Sequence, residues 1–416
     1  MLKNRIIYNE SSPWTFTVSK ASGSYLWDGD GKKLIDFTSG WNVTNLGWNN
    51  PEVTEAVIKQ AKKNHYAPMW TNDPIQEEYA YELTKALPKE LCAVGRATGG
   101  TEANEEALKT SRAFTDRKKI IGFKNTYHGQ SFGTMSIGYL PEYVTAISPL
   151  VGNFVQIDFP ETYRDNRSEG EILKNFSSKL EELLSKKDIA AIVCEAGMIT
   201  GWGDARVAPK GFVQQVRKLT QKYGTLMILD EVGTGFSRCG KLFGMEIEGI
   251  VPDVVTFAKG LSNGVAAIGT MVTKKKIAEK TYNKSNVTST FGWVPVACAA
   301  SLKVLQIHKR DKVWEKSDRK GKIILNTLKK EFANNPFVGD IRGIGMEIGL
   351  ELVKNKKTKE RNPELVAKVA KEAREKGLHL VGDNESVIQI MPPLVIGENV
   401  LNKGLEILTE IVNNKI

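Results

Sequence analysis

The chain has 416 residues, 41% hydrophobic and 25% charged, which is enough to bury a large core and to divide into more than one lobe. Its net charge of +10 comes from lysines spread along the whole length with acids between them, and no basic block interleaved with aromatics occurs, which argues against nucleic-acid binding. No apolar run reaches the roughly 18 residues of a membrane span. The N-terminal stretch lacks a signal-peptide core, and Cys92, Cys194, Cys239 and Cys298 show no paired spacing, so the expected location is the cytoplasm, with reduced thiols.

Residues 15–47 read as short strands and turns, with Asp28-Gly29-Asp30-Gly31 as the hairpin turn between residues 25–27 and 34–37. Pro51 opens a helix over residues 51–64. The polar loop 65–73 carries Tyr66, Met69 and Trp70, three large apolar groups that suit a pocket or an interface. A helix over 75–87 leads to Thr98-Gly99-Gly100-Thr101-Glu102-Ala103-Asn104-Glu105. A glycine pair just before a helix lets backbone N–H groups close on an anion at the helix N-terminus. The stripe Ala103, Ala107, Phe114 supports that helix. Residues 120–123 and 190–194 read as strands, 171–186 as a helix, and Gly211-Phe212 begins another helix.

Two short apolar runs, 226–229 and 254–257, do not alternate polar with apolar and read as buried parallel strands. The first is followed by Asp230 and the second, one residue on, by Lys259. Ligands of open α/β sheets bind at the carboxyl ends of the strands, so an acid and a lysine placed there point to one ligand touched from two sides. Taken singly, an ion-paired aspartate and an exposed lysine would be the plainer reading of each. Residues 267–272 give one more strand, and long helices follow from about residue 297.

The run Asp230-Glu231-Val232, then Thr234-Gly235-Phe236 with Arg238 and Gly240, then Pro252-Asp253 and Ala258-Lys259-Gly260, resembles the signature of the class III pyridoxal-phosphate-dependent aminotransferases. Further landmarks are residues 40–47, Asn125-Thr126-Tyr127-His128-Gly129, residues 288–293, residues 339–345 and Met391-Pro392-Pro393-Leu394, so the resemblance covers nearly the whole chain. It implies an α/β fold of PLP fold type I: a large domain, residues 56–297, with a mainly parallel seven-stranded sheet between helices, and a smaller α+β domain built from both termini, residues 1–55 and 298–416. The implied cofactor is pyridoxal 5'-phosphate and the implied assembly is a homodimer or higher homo-oligomer with shared sites. Lys259 would form a Schiff base with the cofactor aldehyde and then move a proton, and Asp230 would keep the pyridine nitrogen protonated. Gly100 and Thr101 would hold the phosphate, although Thr98 and Gly99 depart from the family pattern. Tyr127 and Val232 would sandwich the ring, and Thr290 would reach the phosphate of the neighbouring subunit. His128 has no partners for a metal site and reads as a hydrogen-bonding residue behind the ring.

Departures bear on the substrate. Family members that grip carboxylates use arginines, whose planar fork suits a carboxylate; the two corresponding positions are Gln130 and Gln389. Glu195 matches a glutamate that holds the second of these arginines in glutamate-handling relatives, and the residues after it differ from the family run. Gly233 stands where acetylornithine and 4-aminobutyrate enzymes often have glutamine, and His379 lies where amine:pyruvate enzymes have a mobile arginine nearby. With Trp41 and Trp70 as pocket walls, the expected reaction moves an amino group from an amine or ω-amino donor to a keto acid by a ping-pong mechanism, with Arg206 as candidate cation for the acceptor. The alternatives are an acetylornithine- or 4-aminobutyrate-type aminotransferase, or a racemase or decarboxylase of the same family. Outside enzymes, the rival is a cofactor-binding protein without turnover.

Overall fold

The runs at 226–229 and 254–257 do not alternate because both of their faces are buried. In the computed structural model, which describes residues 16–139, 141–382 and 385–414, they form neighbouring parallel strands in which Ile228 faces Val254 and Asp230 faces Thr256. Met227 and Leu229 enter one apolar cluster while Leu226 and Ile228 enter a second, as the two-residue repeat of a strand dictates.

Seven strands make this central sheet: β1 (Leu91–Ala97), β2 (Lys119–Phe123), β3 (Phe154–Ile157), β4 (Ile189–Glu195), β5 (Leu226–Asp230), β6 (Val254–Phe257) and β7 (Gly269–Lys274). Their spatial order is β1-β7-β6-β5-β4-β2-β3. Strands β2 to β6 run parallel to one another, and β7 runs antiparallel to both β6 and β1. The mainly parallel seven-stranded sheet expected from the sequence is therefore present.

Helices cover the sheet through apolar stripes. The helix Glu169–Ser185 buries Ile172, Phe176, Leu180 and Leu184 at four-residue spacing, the repeat that keeps side chains on one helix face. Phe176 meets Phe123 and Phe212, and Phe159 meets the same two rings, in a cluster with centroids 5.0–6.1 Å apart for the contacting pairs. Contacts of this type are worth roughly 0.5–1.5 kcal/mol per pair beyond the area they bury. Asp253, from the Pro-Asp motif, is a structural lock. It accepts from Arg217 at 2.6 Å, Lys274 at 2.8 Å and the Met227 N–H at 3.0 Å, joining a helix, the end of β7 and the start of β5.

Three smaller sheets lie outside. The predicted hairpin pairs Tyr25–Asp28 with Lys33–Asp36, and its turn is closed by the Asp28 carboxylate, which accepts the N–H groups of Asp30 and Lys32. Leu378–His379 then joins Lys33–Asp36 in parallel, so a C-terminal strand completes the N-terminal sheet. A second sheet is built around Val338–Ile344 and Glu347–Asn355, and the third is the two-stranded pair Met198–Ile199 and Arg206–Val207. The helix predicted at Pro51 spans Pro51–Lys63, with Asn50 accepting the N–H groups of Glu52 and Val53 at its start. No helix among the described residues is long and apolar enough to cross a membrane.

Candidate active site

The carboxyl ends of β1, β4, β5 and β6 converge on a cavity of about 370 Å³. Asp230 is the last residue of β5 and Glu195 the last of β4, and the two are register partners on adjacent strands. Lys259 follows β6 by one residue. Thr98, Gly99, Gly100 and Thr101 enter the cavity between β1 and the helix α1 (Gly100–Thr115), and Tyr127 and Val232 also line it.

The start of α1 is shaped for an anion. No side chain caps it, so its first N–H groups and the positive end of its dipole face the cavity without competition. Gly100 leaves little room for a side chain, since a Cβ there would lie 3.1 Å from Val232 Cγ2. Gly129 closes the same corner at φ +137°, where a Cβ would lie 2.6 Å from Thr101 Oγ1.

Asp230 is buried and surrounded by polar partners. Its Oδ2 lies 2.7 Å from His128 Nδ1 and accepts from the Asn104 amide at 2.8 Å, and its Oδ1 accepts the Val232 N–H at 2.9 Å. Burial alone would raise its pKa, but the His128 hydrogen bond and charge, the Val232 N–H and Asn104 more than offset this and hold it below the usual carboxylate range. His128 responds in the matching sense. Burial pushes it down, but the bond to Asp230 and the charges of Asp230 and Glu195 outweigh that and hold it above the ordinary imidazole value. Asn104 also donates to the His128 carbonyl at 2.9 Å and accepts from Thr256 at 2.8 Å, tying α1 to both strand ends.

Lys259 has the opposite surroundings. Burial pushes its ammonium down, against the opposing charges of Glu195, Glu347 and Asp230, and the net shift is downward. Its backbone sits at φ +45°, a sparsely populated region for a residue other than glycine and a form of local strain that clusters at functional sites. An anion cradle, a buried lysine inclined toward the neutral amine and a carboxylate kept ionised at the far side are the donor set that pyridoxal phosphate requires. The residues present fit the group.

Several expected residues lie elsewhere. Trp41 falls within a run of positive φ values from Ser39 to Asn42, which delivers Val43 to the cavity but not Trp41. Trp70 is 82% exposed, and Thr290 is also on the surface, so neither lines this chain's cavity. Gln130 is at the surface and donates to the Tyr139 hydroxyl at 3.2 Å. Gln389 is fully buried behind the cavity wall, donating to the Thr200 carbonyl at 3.2 Å and to Glu347. Arg206, expected as a free cation, is held by Asp204 at 2.6 Å and by the Asn125 carbonyl, and does not line the cavity. His379 packs edge-on against Phe16, also away from the cavity. Glu195 does line the cavity, and its partner is Thr200, whose N–H and hydroxyl both donate to Oε2, at 2.9 and 2.5 Å.

Other residues escaped sequence reasoning. Asn104 stood inside a motif whose glycines drew attention. Thr200 lay in the altered run after Glu195, and Glu347 in an ordinary apolar strand with no signal at all. Trp202, in the same altered run, stacks on Tyr143 at 5.1 Å and meets Tyr127 and Tyr139 edge-on. Of this cluster Tyr127 lines the cavity, and Trp202 and Tyr139 pack against it. Among the described residues there is no group of three or more His, Cys, Asp or Glu side chains able to hold a metal.

Comparison with known proteins agrees with this geometry. The family model described as aminotransferase class-III matches residues 6–412. An acetylornithine aminotransferase of Methanopyrus kandleri is 32% identical over 97% of this chain and 95% of its own length. A 5-aminovalerate aminotransferase of Pseudomonas aeruginosa is 33% identical over 94% of this chain and 92% of its own. Among solved structures, an amine transaminase from an uncultivated Pseudomonas species in its PLP-bound form superposes with a TM-score of 0.94. It is 26% identical and the match covers 99% of both chains.

Proposed function

This chain belongs to the class III aminotransferases, and on that premise we propose which of its residues carry the reaction and which donors it takes. Enzymes of this class are pyridoxal-phosphate-dependent, and the bound cofactor supplies an electron sink for the carbon that carries the amino group. Lys259 would hold the cofactor through Nζ and, when free, would take the proton from the donor's amino-bearing carbon; burial inclines its nitrogen toward the neutral amine that this needs. Asp230, ionised, would keep the pyridine nitrogen protonated, and His128 and Asn104 fix its carboxylate. The uncapped start of α1 at Gly100 and Thr101 would hold the phosphate, and Val232 and Tyr127, which line the cavity, would flank the ring.

The donor is an amine or ω-amino compound and the acceptor a keto acid. The observation that carries this reading is that, among the described residues, no arginine lines the cavity, and Lys259 is the single lysine that does. The guanidinium of Arg238 is used on the Met346 and Pro392 carbonyls, Ser39 and Asn45, and that of Arg342 on Glu351, Asp340 and the carbonyls of Asp204 and Ala205. The cavity wall instead carries Tyr127, with Trp202 and Tyr139 packed on it, as an apolar surface for the donor's tail. The test compares kcat/KM for an aryl-substituted primary amine with that for N-acetylornithine, pyruvate being the acceptor. An advantage for the amine is expected; a wide margin for N-acetylornithine would overturn the donor assignment and favour the acetylornithine-type activity of the Methanopyrus relative.

We further propose a homodimer as the working unit. Trp70, Met69 and Phe291 are exposed apolar groups at 82, 41 and 64%, and Thr290, exposed and next to Phe291 in the chain, would serve a second copy. The four cysteines are unpaired thiols, in keeping with a reducing compartment such as the cytoplasm.

A further inference from the structure

Gly233 and Thr200 are two halves of one arrangement. A Cβ at position 233 would lie 2.0 Å from Thr200 Oγ1 and 2.8 Å from Thr200 Cβ. The threonine thus occupies the space that a side chain at 233 would need. From there its N–H and hydroxyl both reach Glu195 Oε2, while Gln389 holds the Thr200 carbonyl from behind. Glu195 is 3% exposed, and its other oxygen, Oε1, has no hydrogen-bond partner. A buried carboxylate oxygen without a partner is unusual enough to call for a reason. Here the reason is position, because Glu195 lines the cavity beside Lys259 and pairs in register with Asp230.

We propose that Glu195, clamped through Oε2 by Thr200, is a second titrating carboxyl of the active site, a positioning residue that exchanges a proton at Oε1 and thereby sets the basicity of Lys259. With Oε2 filled by two donors, a proton on this carboxyl resides on Oε1. Deprotonation places a negative charge next to Lys259 and favours the charged form of its nitrogen. Adjacent carboxyls with opposed environments are a recurring way to divide acid and base roles. Asp230 has three polar partners and stays ionised, whereas burial, then the charge of Asp230, push Glu195 up to about 7 against the opposing effects of His128 and Thr200. The charged and titratable groups around the pair are Asp230, His128, Lys259, Glu347, Arg238, Cys194 and Cys239. Burial pushes both thiols well up, so neither is a thiolate at neutral pH.

The inference rests on the cofactor being linked to Lys259. The experiment is a pH titration of the visible absorbance of the holoenzyme, in the parent, Glu195→Gln and Thr200→Val. Glutamine keeps the shape and can still accept from Thr200 but carries no charge. The expected result is a fall of about one pH unit or more in the midpoint of the absorbance transition in Glu195→Gln, the size expected for one charge a few ångströms away. Thr200→Val, which takes away one donor to the carboxylate, should shift the midpoint in the same sense by less, with recovery in Thr200→Ser. A midpoint unchanged within about 0.2 units in Glu195→Gln, the cofactor band being present, overturns the proposal. Absence of any Lys259-linked band in the parent would instead overturn the proposed function.

Discussion

Replacing Asp230 with asparagine tests the electrostatic centre of the site. In the parent the carboxylate's hydrogen-bond contacts are with nitrogens: His128 Nδ1 at 2.7 Å, the Asn104 amide at 2.8 Å and the Val232 N–H at 2.9 Å. An amide has one acceptor end and one donor end. Whichever way it is turned, its NH₂ faces either the Val232 N–H or the Asn104 NH₂. An unsatisfied buried donor costs about 1–3 kcal/mol, and removing one partner of a buried charge pair about 3–5 kcal/mol. If roughly 3–4 kcal/mol of this falls on the transition state through a pyridine nitrogen no longer held protonated, turnover drops about 10²- to 10³-fold. The assay is kcat for an aryl-substituted primary amine with pyruvate, alongside the absorbance of bound cofactor. A loss smaller than about five-fold, with cofactor retained, would refute the assignment of Asp230 to the pyridine nitrogen.

Gly233→Ala should overpack the cavity wall against Thr200 and cost about 1–3 kcal/mol of stability. Thr200→Gly should relieve much of that cost, and additive effects in the double-mutant cycle would contradict the close approach. Thr290→Val should weaken cofactor retention about ten-fold or more without unfolding the protein, because a hydroxyl-to-phosphate bond is worth roughly 1.5–3 kcal/mol; equilibrium dialysis measures it, and an active monomer would rule the arrangement out. His308 is buried against Ser237 Oγ at 2.7 Å, and burial, then the Arg238 charge, push it down to about 3. Its unfolded value lies near 6.5. The unfolded state therefore binds the extra proton between these values, and the contribution is complete above about pH 6.5 and is lost as pH falls toward 3. His308→Gln should flatten the decline in Tm over that range, and an unchanged slope would show that His308 is not its source.

How much the sequence disclosed depended on whether one residue type can do the job. That Lys259, Asp230 and the glycines at the start of α1 share one cavity was legible because each stands at a strand end or helix start, where a charged group or a glycine breaks the apolar pattern. The β5 and β6 runs were legible because a strand buried on both faces has no polar alternation. The reversed direction of β7 was not, since an apolar run reads the same either way. Trp70 was expected at a pocket or an interface because large apolar groups in a polar loop favour contact, and Trp41 at the pocket because of the family resemblance; neither argument tells a chain's own cavity from an exposed face. Gln389 was read as a lost cation facing substrate. Its amide in fact braces Glu347 and the Thr200 carbonyl, contacts between residues far apart in the chain that no local pattern announces. The Thr200–Gly233 exchange of volume was hidden for the same reason: each half looked like an isolated departure.

Borohydride reduction of the holoenzyme followed by peptide mapping tests the central claim most directly. The reduced cofactor should be found on a single peptide, attached to Lys259 at the end of β6. A label on any other of the chain's lysines, with Lys259 unmodified, would contradict the placement of the active site.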